Sequence, residues 1–387
     1  MTIPVNWRAA EGRRWHDGEV LTIDITGLPP ERVTFAASPL AELTSMLHVL
    51  AEPAHHPAMQ AWAGATLAGL KPALADRLLE AEFLWRSSRA DFLVPGRPAE
   101  RLADELDEVD RLPDDVYVAA ALVTTCGSSR LSFRRGHAGA GRGSPLTDPA
   151  AADRALELAQ ARGPRQAAFA ERLLEDPPAV RAAVRRLLED CADAFFADAW
   201  RPVEHRLAAD ARHKSELHAR LGLAAALEAV SPAASLSEHG GAREIRLDKL
   251  QDNWTSGTDG VTFIPSVYGR PHLLTVHAPG WRPVVQYPAA DRHDPPPLSL
   301  DLVRRRLEAL SHPVRLRLCR TLARGPHTTG ELAEAWQLTA PEVSRHLAVL
   351  KKAGLLKTAR RGRYVSHALD VSATAALGAD LLEAFLR

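Results

Sequence analysis

The hydrophobic pattern predicts short strands near both ends of a long first region. Glu19–Thr26 places Val20, Ile23 and Ile25 among polar residues, and Arg32–Ala36 is a second short strand candidate. After residue 230, short apolar runs bounded by Gly and Pro appear again, which indicates a return to strands. These later runs are Arg243–Leu250, Val261–Ile264, His272–His277 and Val284–Tyr287.

Helices are predicted between these strands. Ser38 suits an N-cap and Pro39 the first helical position, so a helix begins there, with a stripe of leucines on one face. Helical periodicity then dominates from about residue 57 to residue 230, and Ala179–Trp200 is clearly amphipathic. The segment 134–149 is rich in Gly, Pro and Arg, which favours a mobile loop.

A proline-rich break divides the chain. Pro288–Ser299 contains three consecutive prolines, which favour a stiff, extended linker. We therefore expect an N-terminal sensor or dimerisation domain at 1–290, a linker at 291–300, a DNA-binding domain at 301–370 and a terminal helix at 371–387. The predicted fold class is α+β, with a large, mostly helical N-terminal domain that has short strands at both ends, plus a C-terminal winged helix-turn-helix.

The segment after the break predicts a helix-turn-helix. Leu302–Leu310 and Val314–Arg324 are two helices, and a capping box of Thr328 and Glu331 opens a third that ends near Trp336. After a turn at Gln337 and Leu338, a second capping box of Thr339 and Glu342 opens the helix Ala340–Ala353. Gly354 is placed to end that helix in the left-handed conformation. Two short helices joined by a tight turn form this motif.

The last of these helices has one apolar and one polar face. Val343, Leu347 and Leu350 face inward, while Pro341, Arg345, Ala348 and Lys352 lie opposite and would enter a major groove. Arg345 is suited to donate two hydrogen bonds to guanine, and Glu342 to accept one from cytosine. Thr339, Ser344 and Lys352 complete the candidate contacts on this helix. His346 lies nearer the packed face, where a structural role and a phosphate contact are equally compatible with the pattern.

A β-wing is predicted next. Leu355–Thr358 and Tyr364–Leu369 are two strands, and between them lie Arg360, Arg361 and Arg363 with a turn glycine. Arginines at a hairpin tip favour the phosphates or the narrow minor groove of DNA.

The charge distribution agrees with contact to nucleic acid. The whole chain has a formal net charge of zero, but residues 301–370 hold 14 Lys+Arg against 6 Asp+Glu, a net of +8. No apolar run of 18 residues and no signal-peptide core are seen, and the three cysteines are widely spaced. We therefore expect reduced thiols and a cytoplasmic location.

At these residues the chain closely resembles the ArsR-type winged-helix repressors. The resemblance is carried by LEALSHPVRLRLCRTLARGP, TTGELAEAWQLTAPEVSRHLAVLKKAGLLKTARRGRYVSHALD and the final helix. It implies a homodimer that represses promoters, binds a palindromic operator in double-stranded DNA and releases it when a small-molecule inducer binds. It also implies base or phosphate contacts for Glu342, Ser344, Arg345, His346, Arg361 and Arg363.

The chain departs from that family at its metal sites and in its length. Thr329–Trp336 lacks the Cys-x-Cys pair through which many relatives bind metals, and the final helix lacks His. We therefore expect no metal and no cofactor. The segments FAASPLAELTSMLHVL and HHPAMQAW are similar to a long domain that precedes some ArsR-type winged helices.

The N-terminal region leaves its role open. Seven of the eight tryptophans lie there, and they are either core residues or the lining of a ligand pocket. The adjacent His55 and His56 are expected at the surface or at a helix cap. No phosphate loop, nucleophile elbow or HExxH motif occurs, so we expect no enzyme. The alternatives are a protein-interaction module or an N-terminal enzyme that carries the winged helix as a regulatory appendage.

Overall fold

The computed structural model describes residues 20–126, 144–248, 253–278, 280–289, 299–361 and 364–386. Several expectations fall outside them: Glu19, most of the predicted loop and of the proline-rich linker, the end of the strand Arg243–Leu250, and Arg363. The chain consists of two compact units, residues 1–293 and 294–387, called here the N-terminal unit and the C-terminal unit. Within the described residues, no helix combines the length and the apolar character needed to cross a membrane.

Helices form most of the N-terminal unit, and many of them begin with a proline in their first turn, where its missing amide hydrogen costs nothing. A π-helical turn, Ala192–Phe196, joins two of the longest helices. The helices are α1 Pro39–Ala51, α2 Gln60–Gly69, α3 Pro72–Ala81, α4 Leu102–Asp110, α5 Asp114–Thr125, α6 Pro149–Arg162, α7 Pro164–Glu175, α8 Pro177–Cys191, α9 Ala197–Leu221 and α10 Leu223–Val230.

The strands of the N-terminal unit form two four-stranded sheets. They are β1 Val20–Asp24, β2 Val33–Phe35, β3 Ala234–His239, β4 Ala242–Asp248, β5 Asn253–Ser256, β6 Val261–Ser266, β7 Leu274–Val276 and β8 Val284–Pro288. The first sheet has the order β3-β4-β1-β5 and the second the order β2-β6-β8-β7. β1 pairs with β4 in antiparallel and with β5 in parallel fashion, and β2 pairs with β6 in parallel. The strands predicted at the two ends of the unit therefore meet in shared sheets.

Helix α1 lies at the centre of the N-terminal unit. Ser38 caps it as predicted, because its hydroxyl accepts a hydrogen bond from the Ala41 amide at 3.0 Å. The leucine stripe is buried, but so is the opposite side of the helix, including Glu42 and His48. A helix buried on all sides places polar groups in the core, where each needs a hydrogen-bonding partner.

The described residues of the C-terminal unit contain six further helices and a three-stranded sheet. Its elements are α11 Leu300–Leu310, α12 Pro313–Leu322, β9 His327–Thr328, α13 Thr329–Trp336, α14 Ala340–Lys352, β10 Leu356–Arg361, β11 Tyr364–Leu369, α15 Val371–Ala375 and α16 Leu377–Leu386. The strand order is β10-β11-β9. Leu318, Leu322, Leu332, Val343 and Leu347 form the core between α12, α13 and α14. This is a winged helix-turn-helix, and the predicted α+β class is confirmed.

Candidate nucleic-acid interface

The start of α13 is fixed by the predicted capping box. The Glu331 carboxylate accepts from the Thr328 amide at 2.7 Å, and the Thr328 hydroxyl accepts from the Glu331 amide at 3.3 Å. These hydrogen bonds from Thr328 lower the pKa of the Glu331 carboxyl, since they favour its charged form. At the other end of α13, the Trp336 indole donates to the Thr321 hydroxyl at 3.0 Å, which ties α13 to α12.

The turn between α13 and α14 depends on one left-handed residue. Gln337 has φ 51° and ψ 43°, and the chain then reaches Thr339, the N-cap of α14. The Thr339 hydroxyl accepts from the Glu342 amide at 3.4 Å. Glu342 does not return a hydrogen bond to the Thr339 amide, so the prediction of a second capping box is wrong. The Glu342 carboxylate is therefore not held by the helix end and stays available to a ligand.

Helix α14 has the two faces that the sequence predicts. Val343, Leu347 and Leu350 are buried. The opposite face is exposed and consists of Pro341, Ser344, Arg345, Ala348 and Lys352. It therefore presents one hydroxyl group and two positive charges to the solvent. In the described part of the chain, no residue forms a hydrogen bond or an ion pair with the Arg345 guanidinium. Such an uncommitted guanidinium near a helix N-terminus is suited to base edges in a major groove.

His346 occupies an intermediate position between the two faces. Its ring lies 4.8 Å from the ring of His312, centroid to centroid, and His312 is the N-cap of α12. Burial is the main cause that lowers the pKa of His346, and the nearby charges of His312 and Arg315 lower it further. These contacts favour the structural role for His346, with the ring packed between α12 and α14.

The wing is longer than predicted. β10 continues to Arg361 instead of ending at Thr358, and Arg361 pairs with Tyr364 across the hairpin. Arg360 therefore belongs to a strand and not to the tip, and its side chain is exposed. β10 and β11 pair without interruption from Leu356–Leu369 to Arg361–Tyr364, so the ladder extends to the tip of the hairpin.

A third strand, which the sequence pattern does not predict, holds the base of the wing. β9 pairs with β11 through Thr328–Ser366 and His327–His367. Thr328 is also the cap of α13, so one residue fixes both the wing and the first helix of the motif. A strand of two residues has too short a pattern to be found by alternation.

The adjacent histidines of the N-terminal unit are not at the surface, but His56 is at a helix cap as the alternative expectation had it, between the short 3-10 helices Pro53–His55 and Pro57–Met59. His56 is buried, His55 is half-buried, and both lie beside His48 and His272. Burial is the main cause that lowers the pKa of His48 to about 2 and that of His56 to about 4. Spacing could not reveal this group, because His272 comes from the far end of the unit.

The tryptophans of the N-terminal unit differ in their surroundings. Trp85 is buried, whereas Trp254 is 59% exposed.

Burial raises the pKa of Glu42, whose carboxylate accepts from Ser266 and from two backbone amides. Both carboxylate oxygens of Glu42 are therefore occupied, which gives the carboxylate a structural role.

Comparison with known proteins agrees with this geometry. Residues 310–359 match a helix-turn-helix domain. The C-terminal unit is similar to the biofilm growth-associated repressor of Agrobacterium fabrum, 38% identical over 16% of this chain and 54% of that protein. It is also similar to the transcriptional repressor SdpR of Bacillus subtilis, 31% identical over 17% of this chain and 72% of that protein. The chain thus spans 54% to 72% of the length of these relatives.

A solved structure gives a match of the same extent. The transcriptional repressor BigR from Xylella fastidiosa is 34% identical and aligns with 20% of this chain and 82% of that structure, with a TM-score of 0.19.

The fold, the exposed face of α14 and the relatives define the C-terminal unit as a winged helix-turn-helix of the ArsR type, as predicted. Residues 20–293 match the family described as a family of unknown function, DUF5937. The chain belongs to that family, and it carries the ArsR-type unit at its C-terminal end.

Proposed function

We propose that this protein is a sequence-specific, DNA-binding transcriptional regulator. The observation that carries the proposal is the exposed face of α14, where Ser344, Arg345 and Lys352 project from a helix whose other face is packed into the core. An Arg-rich wing stands beside this helix in the sequence, and the segment 301–370 has a net charge of +8. Base readout by the helix and phosphate contact by the wing is the division of roles that these residues support.

We further propose a homodimer that acts as a repressor. The relatives named above are repressors. In the single chain, Leu300 and Leu307 of α11 are 52% and 41% exposed, and Phe385 of α16 is 64% exposed. Leu300 and Leu307 are seven residues apart and lie on one side of α11, which packs on α16. Large apolar side chains exposed on two adjacent helices favour burial against a second copy.

Selection from random duplexes tests the DNA-binding proposal. The full-length protein is mixed with random-sequence DNA at two salt concentrations, and the bound DNA is sequenced. A palindrome with half-sites about one helical turn, ~34 Å, apart, bound more weakly as salt rises, is the expected result. Absence of binding at low salt would overturn the proposal. Binding to another protein in that case would favour the interaction-module alternative.

We also propose an effector pocket in the N-terminal unit. An open surface pocket of about 520 Å³ is lined by Trp62, Leu70, Phe195, Val203 and Tyr268, among others. Its size and its aromatic lining are those of sites for small organic molecules. The π-helical turn Ala192–Phe196 contributes to the wall, and such turns often occur at functional sites.

A screen of small molecules by thermal shift of the whole protein tests this pocket. A compound that stabilises the wild type should lose its effect in Trp62→Ala and keep it in Leu79→Ala, which removes an exposed leucine of α3. Equal loss in both variants would contradict the assignment.

A further inference from the structure

Four histidines meet in the N-terminal unit, three from one short segment and one from a distant part of the sequence. His48 lies on α1, His55 and His56 follow that helix, and His272 precedes β7. The ring centroid of His48 lies 4.8 Å from that of His272, 5.0 Å from that of His56 and 5.8 Å from that of His55. The remaining three centroid distances are 5.1 to 6.5 Å. We call these four residues the histidine cluster.

The hydrogen bonds of His48 determine which of its nitrogens faces the cluster. Nδ1 of His48 lies 3.1 Å from the Trp85 carbonyl oxygen, which can only accept a hydrogen bond. The neutral ring therefore carries its proton on Nδ1 and presents an unprotonated Nε2. This Nε2 lies 3.1 Å from Nε2 of His272. A ring nitrogen held by a backbone carbonyl while the other is left free is the usual arrangement of a metal-binding histidine.

Two further ring nitrogens of the cluster lack partners. His55 Nδ1 and His56 Nε2 are buried, and no hydrogen-bonding partner for either exists among the residues that the structure describes. His56 Nδ1 lies 2.5 Å from the Arg270 carbonyl oxygen, so its proton is also placed on Nδ1. Buried polar atoms without a partner are costly, and each one requires an explanation.

We propose that His48, His55 and His272 bind a divalent transition metal ion, for which Zn²⁺ is the best match. Each of the three offers one nitrogen, and these atoms all lie within 4.8 Å of one another. Zn–N bonds of about 2.0–2.1 Å in a tetrahedral site place two ligand nitrogens roughly 3.3 Å apart. The 3.1 Å between His48 Nε2 and His272 Nε2 is close to this distance.

The composition of the site selects the class of metal. Imidazole ligands without thiolates suit Zn²⁺, Co²⁺, Ni²⁺ or Cu²⁺, whereas Mg²⁺ and Ca²⁺ require oxygen ligands. Three histidines leave a fourth position of a tetrahedral site open to water or another ligand. The positive charge of the buried Arg89 acts on His48 and opposes the binding of a cation. The negative charge of the buried Glu42 carboxylate acts on Arg89 in turn and offsets part of this effect.

An imidazole–imidazole hydrogen bond between His48 and His272 is the competing explanation. It accounts for the 3.1 Å distance if His272 carries its proton on Nε2. It leaves the buried His55 Nδ1 without a partner, whereas a metal ion would supply one. The metal site therefore accounts for more of the observations.

Cobalt and zinc binding to the metal-free, full-length protein tests the proposal. The protein is stripped with a chelator and titrated with Co²⁺, whose visible absorption reports tetrahedral coordination. Zn²⁺ is then added in competition, and bound zinc is measured by equilibrium dialysis. One ion per chain and strong visible absorption in wild type are expected, with an affinity at least about 100-fold weaker in His55→Gln and in His272→Gln.

Matched variants are needed because the chain contains 16 histidines, and others of these could bind a metal ion nonspecifically. His205→Gln and His213→Gln alter exposed positions of α9 and should bind zinc like wild type. Circular dichroism is used to establish that each variant is folded, and His55 and His272 are half-buried, so both should tolerate substitution better than the buried His48 and His56. Absence of stoichiometric binding in wild type, or equal loss in the α9 variants, would overturn the metal site. Neither result bears on DNA binding by the C-terminal unit.

Discussion

Arg306 and Asp380, 74 residues apart, form an ion pair that joins the first and last long helices of the C-terminal unit. The guanidinium of Arg306 donates to the Asp380 carboxylate at 2.7 Å and to the Ala353 carbonyl oxygen at 3.4 Å. The two side chains are only 9% and 20% exposed. This contact connects α11, α16 and the end of the recognition helix α14, so it fixes the frame on which α14 is presented.

Loss of this ion pair should destabilise the C-terminal unit. Asp380→Asn removes the charge and leaves Arg306 largely buried without its partner, which should lower the free energy of unfolding by about 1–3 kcal/mol. Glu308→Gln is the control, since its ion pair with Arg304 is exposed and should contribute less than about 1 kcal/mol. Urea denaturation measures both, and equal effects would contradict the structural role of the buried pair.

The end of α14 should be sensitive to the shape of residue 354. Gly354 has φ +67°, a left-handed conformation that β-branched residues adopt only with strain. The nearest atom to an added Cβ is 4.0 Å away, so the cost arises from the backbone alone. Gly354→Val should lower stability by about 1–2 kcal/mol, and Gly354→Asn by clearly less. Thermal unfolding of the two variants compares them, and similar losses would show that conformation is not the cause.

Base readout should depend on Arg345. On the selected operator, Arg345→Ala should weaken binding by about 1–3 kcal/mol and relax the preference at one base position. Arg360→Ala, on the wing, should weaken binding to most sequences and reduce the salt slope by about 1. Arg172→Ala, an exposed position of α7, serves as the control with equal charge change. Unchanged operator affinity in Arg345→Ala would show that the reading face of α14 is placed wrongly.

The dimer should depend on the exposed leucines of α11. Leu307→Glu places a charge in the proposed interface and should shift the protein to a monomer, because a buried unpaired charge is costly. Affinity for a palindromic operator should fall with it. Leu79→Glu changes a leucine of α3 with similar exposure and should leave the mass unchanged. Light scattering during gel filtration measures the mass, and a Leu307→Glu dimer would rule out this interface.

Stability of the N-terminal unit should depend on pH through Glu105. Burial raises the pKa of Glu105 from its ordinary value of 4.5 to about 7, although the Leu40 and Ala99 amides donate to its carboxylate. The folded state therefore binds more protons than the unfolded state between pH 4.5 and 7, and stability is lost as pH rises through that window.

The variant Glu105→Gln isolates this effect, because glutamine resembles the protonated acid. Between pH 4 and pH 8, the free energy of unfolding of the variant should rise by up to about 3 kcal/mol relative to that of the wild type. Urea denaturation at the two pH values, followed by tryptophan fluorescence, gives the difference. A difference in stability that is constant with pH would show that Glu105 is not protonated in the folded protein.

The winged helix was predictable because its signals are local. The N-caps, the alternation of Val343, Leu347 and Leu350 with exposed residues, and Gly354 all lie within one short segment. The second capping box was predicted wrongly, since spacing permits the Glu342 hydrogen bond but does not require it. The histidine cluster was missed because it joins His48 to His272, and no periodicity links residues so far apart. The pairing of β9 with the wing was missed for a different reason, since a strand of two residues is too short to show an alternating pattern.

The sheets of the N-terminal unit have a consequence for synthesis on the ribosome. β1 and β2 leave the ribosome before the other strands of this unit, yet their partners β4, β5 and β6 are more than 200 residues further along the chain. The helical middle can condense earlier, while the two initial strands must wait, unpaired, for the end of the unit. In the C-terminal unit the ion pair between Arg306 and Asp380 spans only 74 residues, so the wait is much shorter and the unit should complete its fold soon after it emerges.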